Sequence, residues 1–155
     1  MLLLDIDGVL NPFAATCCPP GYAEYDLFPG EEPVRLSRAH GEWITNLSGA
    51  FEVIWASAWG RHANLLLGPV LDLPPLPFVD FPPVPFPPVM KVPSVIRHLR
   101  NRPAVWIDDV ITAEARTWAA GRGIPTLLLE VEPAIGLTRP AVDLALQWAA
   151  RHIRA

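Results

Sequence analysis

Apolar residues occupy Leu2 to Leu4 and Ile6, a short run with strand character that ends in Asp5-Ile6-Asp7 and breaks at Gly8-Val9-Leu10-Asn11. Successive side chains alternate along an extended chain, so Asp5 and Asp7 project from the same side of this strand end. Further on, the amphipathic stretch Leu36 to Leu47 predicts a helix ending near Gly49, and Phe51 to Ala56 predicts a strand closed by Ser57. A short helix is expected over Arg61 to Leu67, terminated by Gly68-Pro69. The second half continues the rhythm: helix from Ser94 to Arg102, buried strand from Ala104 to Ile107, helix from Ala113 to Gly121, strand from Thr126 to Glu130, and a last helix from Arg139 to Arg154.

Strands that alternate with helices predict an α/β fold, a Rossmann-like three-layer α/β/α arrangement around a central parallel sheet. Ligands of such sheets bind beyond the carboxyl ends of the strands. Asp5, Ser57 and Asp108 all fall at such ends. Two segments stand outside the rhythm. Residues 12–35 contain a proline- and glycine-bearing stretch too short for more than a flap. From Pro69 to Pro93 there are ten prolines in 25 residues, which forbids a long helix and leaves room for a short strand near Phe78 to Phe81. A rigid rim, a polyproline ligand and a stiff connector are all open to this segment, with Phe78, Phe81 and Phe86 expected to pack it onto the body.

At 155 residues, about half of them apolar, the chain predicts one domain spanning 1–155 with a core of its own. Twelve basic against 16 acidic residues leave a net charge of −4, which argues against broad electrostatic binding to nucleic acid but allows a local basic groove. A cationic leader is not visible ahead of Asp5, and no long proline-free apolar run is present, so neither secretion nor a membrane span is expected and the cytoplasm is the expected location. Cys17 and Cys18 are adjacent, a spacing unsuited to a disulfide or a zinc site, and read as free loop thiols. His40, His98 and His152 are scattered without metal-ligand spacing and are expected at solvated helix positions, whereas Trp118 and Trp148 are expected in the core.

Chemistry enters with the acidic pairs. Asp5 and Asp7 repel each other when both are ionised, and holding them so calls for a cation or a shared proton; an ordinary strand-to-loop exit also uses Asp and Gly. A second pair, Asp108-Asp109, follows Val105-Trp106-Ile107 to the same sheet edge, where one of the two could instead cap the next helix. Converging carboxylates suit Mg²⁺, a hard cation that takes oxygen ligands. Lys91 is the only lysine among 12 basic residues. A compact ammonium there can sit between a carboxylate and a phosphoryl oxygen, although a solvated lysine ahead of a helix is the alternative. Ser57, with the backbone N–H groups around Ala58, could hold a phosphate oxygen or act as a local cap. Trp59 and Arg61 follow closely, Trp59 suited to stacking or to the core and Arg61 to a second phosphate.

Taken in order, Asp5-Ile6-Asp7-Gly8-Val9, Ser57 after an apolar strand, Lys91, and Asp108-Asp109 resemble the four motifs of the haloacid dehalogenase-like (HAD) superfamily. Leu10-Asn11-Pro12, Trp55-Ala56-Ser57-Ala58-Trp59, Trp106-Ile107-Asp108-Asp109 and Gly136-Leu137-Thr138 further resemble the HAD domain of RNA-repair proteins. The resemblance implies a HAD-type fold and a Mg²⁺-dependent phosphomonoester hydrolase in which Asp5 is the nucleophile, Asp7 the acid/base, and Ser57, Ala58 and Lys91 bind phosphate. Asp5, Asp7, Asp108 and Asp109 would serve the metal, with Asp7 contributing through its backbone carbonyl, and Asn11, Trp59 and Arg61 would meet the substrate. Both intervals in which the superfamily inserts a cap are short here, so a minimal or absent cap and a site open to a large substrate, such as a polynucleotide end, are expected. A phosphotransferase to an alcohol acceptor and a non-catalytic interaction module are the alternatives.

Overall fold

The computed structural model describes residues 1–153, so Arg154, at which the last helix was expected to end, lies outside the described residues. Four parallel strands form the central sheet: β1 (Leu2–Leu4), β4 (Val53–Trp55), β5 (Ala104–Asp108) and β6 (Thr126–Glu130), in the spatial order β4-β1-β5-β6. Between β1 and β4 the flap folds into an antiparallel hairpin, β2 (Ala23–Tyr25) with β3 (Val34–Leu36), and leads into α1 (Ala39–Ser48). Two short helices, α2 (His62–Leu66) and α3 (Gly68–Leu71), follow β4. Then come α4 (Lys91–Leu99) after a single 3₁₀ turn over Pro88–Met90, α5 (Ala113–Gly121) between β5 and β6, and α6 (Arg139–His152).

Alternation along the strands splits the core in two. Leu2, Leu4, Val53, Trp55, Val105 and Ile107 face one side, where Ile44 and Leu47 of α1 and Val142, Ala145 and Ala149 of α6 pack on them. Leu3, Ile54 and Trp106 face the other, against Val92, Val95 and Leu99 of α4 and Ala115 of α5. The result is the three-layer Rossmann-like α/β arrangement expected from the strand–helix rhythm. No helix among the described residues is long and apolar enough to cross a membrane.

Several boundaries differ from those expected, each for a local reason. Helix α4 begins at Lys91, three residues earlier than Ser94, because Pro93 falls in the first turn, where its missing N–H is not needed. It ends at Leu99, where Arg100 turns to a positive φ of 53°. Helix α2 ends at Leu66, just ahead of Gly68-Pro69 as expected, but that pair at once opens α3, again with proline in the first turn. Helix α1 starts at Ala39 because Val34–Leu36 is spent on the hairpin.

The proline-rich segment pairs with the edge strand at a single bridge, Trp55 to Phe78, with the Trp55 amide donating to Pro77 O (2.9 Å) and the Val79 amide to Trp55 O (2.8 Å). Its buried anchor is Val79 and not Phe78, which is exposed; Phe81 packs against the α4 side of the core and Phe86 lies beside Phe81. Trp118 and Trp148 are partly buried against the two core clusters.

His40 departs furthest from expectation. It is fully buried, its ring edge-on to Tyr22 of the flap (centroids 5.5 Å apart) and beside Trp43 (5.2 Å). Its Nδ1 has no hydrogen-bond partner, and burial pushes the imidazole pKa from 6.5 down to about 4. The unfolded chain therefore takes up a proton below pH 6.5 that the folded chain refuses until about pH 4, so this residue's share of stability is complete above the upper value and lost as pH falls through the window. The full loss is about 3 kcal/mol. Urea unfolding of the natural protein and of His40→Phe across this range should show a clearly shallower acid decline in the variant; parallel declines would contradict a neutral buried His40.

Candidate active site

Sheet register sets the level at which the chemistry-bearing residues emerge. Leu4 lies beside Trp55 on one flank and Ile107 on the other, and the pairing continues one step as the Asp5 amide donates to Ile107 O (3.0 Å) and the Ala56 amide to Leu4 O (2.8 Å). Asp5, Ser57 and Asp108 thus leave three adjacent parallel strands together. Lys91 reaches the same point from the first turn of α4, which packs on the sheet by Val92 and Val95.

Lys91 Nζ donates to Asp5 Oδ2 at 2.7 Å and to Asp108 Oδ2 at 2.8 Å, and all three residues are buried. Burial disfavours the ammonium, but the attraction of the two carboxylates outweighs it and raises the lysine pKa. The remaining oxygens are also engaged. Asp5 Oδ1 accepts from the Ile6 amide (2.8 Å), Asp108 Oδ1 from the Val110 amide (3.1 Å), and the Trp106 indole N–H donates to Asp108 Oδ2 (3.2 Å).

Asp109 completes a group of three carboxylates, with Asp5 and Asp108, whose nearest oxygens all lie within 4.8 Å of one another. Gly8 makes room for it: its φ is +76°, and a Cβ there would sit 2.4 Å from the Asp109 carboxyl carbon. Burial raises the Asp5 pKa to about 7, reinforced by the charge of Asp108 and opposed by Lys91. Burial and then Asp108 raise Asp109 to about 6. One ammonium does not balance three carboxylates, and a hard divalent cation with oxygen ligands matches this donor set.

Asp7 stands apart from that group. Its Oδ1 accepts from Asn11 Nδ2 (2.9 Å) and its Oδ2 from the Trp59 indole N–H (2.8 Å). Asn11 is itself pinned by the Arg35 amide, which donates to its Oδ1 (3.0 Å) and so ties the turn after β1 to the flap hairpin. A second tether holds that turn: the Leu137 amide donates to Val9 O (2.6 Å), an approach that the bare backbone of Gly136 permits, since a Cβ there would meet the same oxygen at 2.5 Å.

Asp5, Asp7, Ser57, Ala58, Lys91 and Asp109 all line one cavity of about 340 Å³. Ser57 is buried and its Oγ accepts from the Trp59 amide (3.4 Å), while Ala58 is exposed at the rim. Arg61 is exposed and opens on a neighbouring recess shared with Asp80. A rigid rim is one reading of the proline-rich segment, but the individual wall residues have no signal of their own in the sequence. Phe13 of the flap and Val84, Pro85, Phe86 and Pro88 of the proline-rich segment enclose the cavity, and Phe81 lies 6.0 Å from Lys91 Nζ. The role of Trp106 was readable in principle, because it lies two residues before Asp108 on one strand face. The link between Trp59 and Asp7 spans 52 residues and follows only from the folded arrangement.

The chain matches no protein-family model, no curated protein and no solved structure. Its fold and site are those of a Rossmann-like α/β domain with clustered carboxylates around a buried lysine at the carboxyl edge of the sheet.

Replacing Lys91 by Met removes the only counter-charge, among the described residues, bonded to two buried carboxylates. Measured by urea denaturation near pH 8 without divalent ions, Lys91→Met should lose about 3–5 kcal/mol of stability. A loss below about 1 kcal/mol, the range of exposed pairs, would contradict the buried bridge.

Proposed function

We propose that the chain is a Mg²⁺-dependent phosphomonoester hydrolase of HAD type that works through an aspartyl-phosphate on Asp5. One observation carries this reading: Asp5, Asp7, Ser57 and Lys91 line a single cavity, with Lys91 bonded to Asp5 at 2.7 Å. A binding module would have no use for a buried carboxylate kept ionisable by a lysine at the floor of an accessible pocket.

In the first step the Asp5 carboxylate attacks phosphorus, the bond from phosphorus to the leaving oxygen breaks, and Asp7 gives that oxygen its proton. In the second, Asp7 takes a proton from water, the water oxygen attacks phosphorus, and the bond from phosphorus to the Asp5 oxygen breaks to free phosphate. Splitting one displacement into two is the advantage of a covalent carboxylate. Lys91 and Ser57 hold the phosphoryl oxygens, and Asn11 and Trp59 fix the Asp7 carboxyl so that its proton is delivered on one side. Asp5, Asp108 and Asp109, with the backbone carbonyl of Asp7, would hold Mg²⁺, which when bound supplies positive charge to the phosphoryl group.

Phosphate release from an aryl phosphate should require Mg²⁺ and stop in EDTA. Asp5→Asn should fall to background while remaining folded by circular dichroism, and Asp7→Asn should slow by about 10²–10⁴-fold. Undiminished release by Asp5→Asn would exclude the covalent route.

A further inference from the structure

Beside the catalytic cavity lies a second one of about 540 Å³, and the two share Asp7, Ala58 and Val84. Asp7 lines both, so a group leaving from phosphorus and taking its proton from Asp7 does so at the border of this second space, which falls in the size range of small-molecule sites. Its walls are of two kinds. Phe28 and Trp59, packed edge to face with centroids 4.8 Å apart, together with Val34 and Val84, make an apolar lining. Glu31 and Glu32, both exposed, and the Asp7 carboxylate make the acidic part of the lining. Among the described residues no lysine or arginine lines it, and His62 is its one basic side chain.

Resting on the phosphomonoesterase reading, we infer that this chamber receives the leaving alcohol, and that the substrate is the phosphomonoester of a small organic alcohol with an apolar, ring-sized body and an amine at its far end. The lining gives the body a dry surface, and Glu31 and Glu32 meet the amine. A polyanion has the opposite fit. A nucleic-acid end would bring its next phosphates against Glu31, Glu32 and Asp7 with no cation in the chamber to receive them. The expectation of a polynucleotide end rests on the short cap intervals and on the resemblance to RNA-repair proteins, whereas the charge of the space beside Asp7 favours a different class.

Three esters with similar phenolic leaving groups separate charge from reactivity: tyramine phosphate, para-ethylphenyl phosphate and the phosphate ester of para-hydroxyphenylpropionate, which end in an amine, a methyl and a carboxylate. With Mg²⁺ at low salt, kcat/KM should fall in that order, by about tenfold or more from first to last, and the spread should narrow as salt is added. In the double variant Glu31→Gln, Glu32→Gln the ratio of the amine ester to the carboxylate ester should fall to within about twofold. Equal rates on all three esters in the natural protein, a ratio that persists in the double variant, or faster turnover of a terminally phosphorylated oligonucleotide would overturn this substrate class while leaving the hydrolase reading intact. No turnover of any monoester would overturn both.

Discussion

The site depends on one buried ammonium. Parallel pairing of β1 with β4 and β5 brings Asp5 and Asp108 out side by side, an arrangement that like charges oppose. Lys91, bonded to both at 2.7 and 2.8 Å, is what lets the register and the charges coexist. It also couples the chemistry to the fold, because its position in the first turn of α4 is set by the packing of Val92 and Val95 on the second face of the sheet. With Asp109 added, carboxylates still outnumber the ammonium, and burial first, then the charge of Asp108, raises the pKa values of Asp5 and Asp109. The same imbalance makes a divalent cation a natural complement.

Around this centre, two irregular segments supply the walls. The flap contributes Phe13 to the cavity that holds Asp5 and Lys91, and Phe28, Glu31 and Glu32 to the chamber beside it. The proline-rich segment contributes Val84 to Pro88, stiffened by residues whose φ is fixed by their rings and anchored on the sheet edge through Val79. Hydrogen bonds from Arg35 to Asn11 and from Asn11 to Asp7 connect the flap hairpin to Asp7, so the wall and this carboxylate are not independent parts.

Much of this was legible from the chain because it follows from the hydrophobic pattern. Continuous apolar runs placed β1, β4, β5 and β6 and put Asp5, Ser57 and Asp108 at their carboxyl ends, and α5 and α6 start at the expected Ala113 and Arg139. What escaped is what that pattern does not encode. The hairpin strands are three residues each and sit within a flap of turn-forming residues. Pro69 and Pro93 look like helix stops in sequence, yet each occupies a first turn, where proline is tolerated. His40 carries a polar side chain at a position that the flap happens to cover, and Trp59 reaches Asp7 only because α2 follows β4 back over the turn after β1. Both are tertiary facts with no local signature.

The most direct test is to trap the covalent species. After brief reaction with a monoester bearing radiolabelled phosphate, followed by acid quench, the account predicts label on the protein that is stable to acid, released by hydroxylamine, and converted to homoserine at position 5 by borohydride reduction. Steady hydrolysis with no protein-bound label, and none gained when the second step is slowed in Asp7→Asn, would contradict the assignment of Asp5 as the nucleophile.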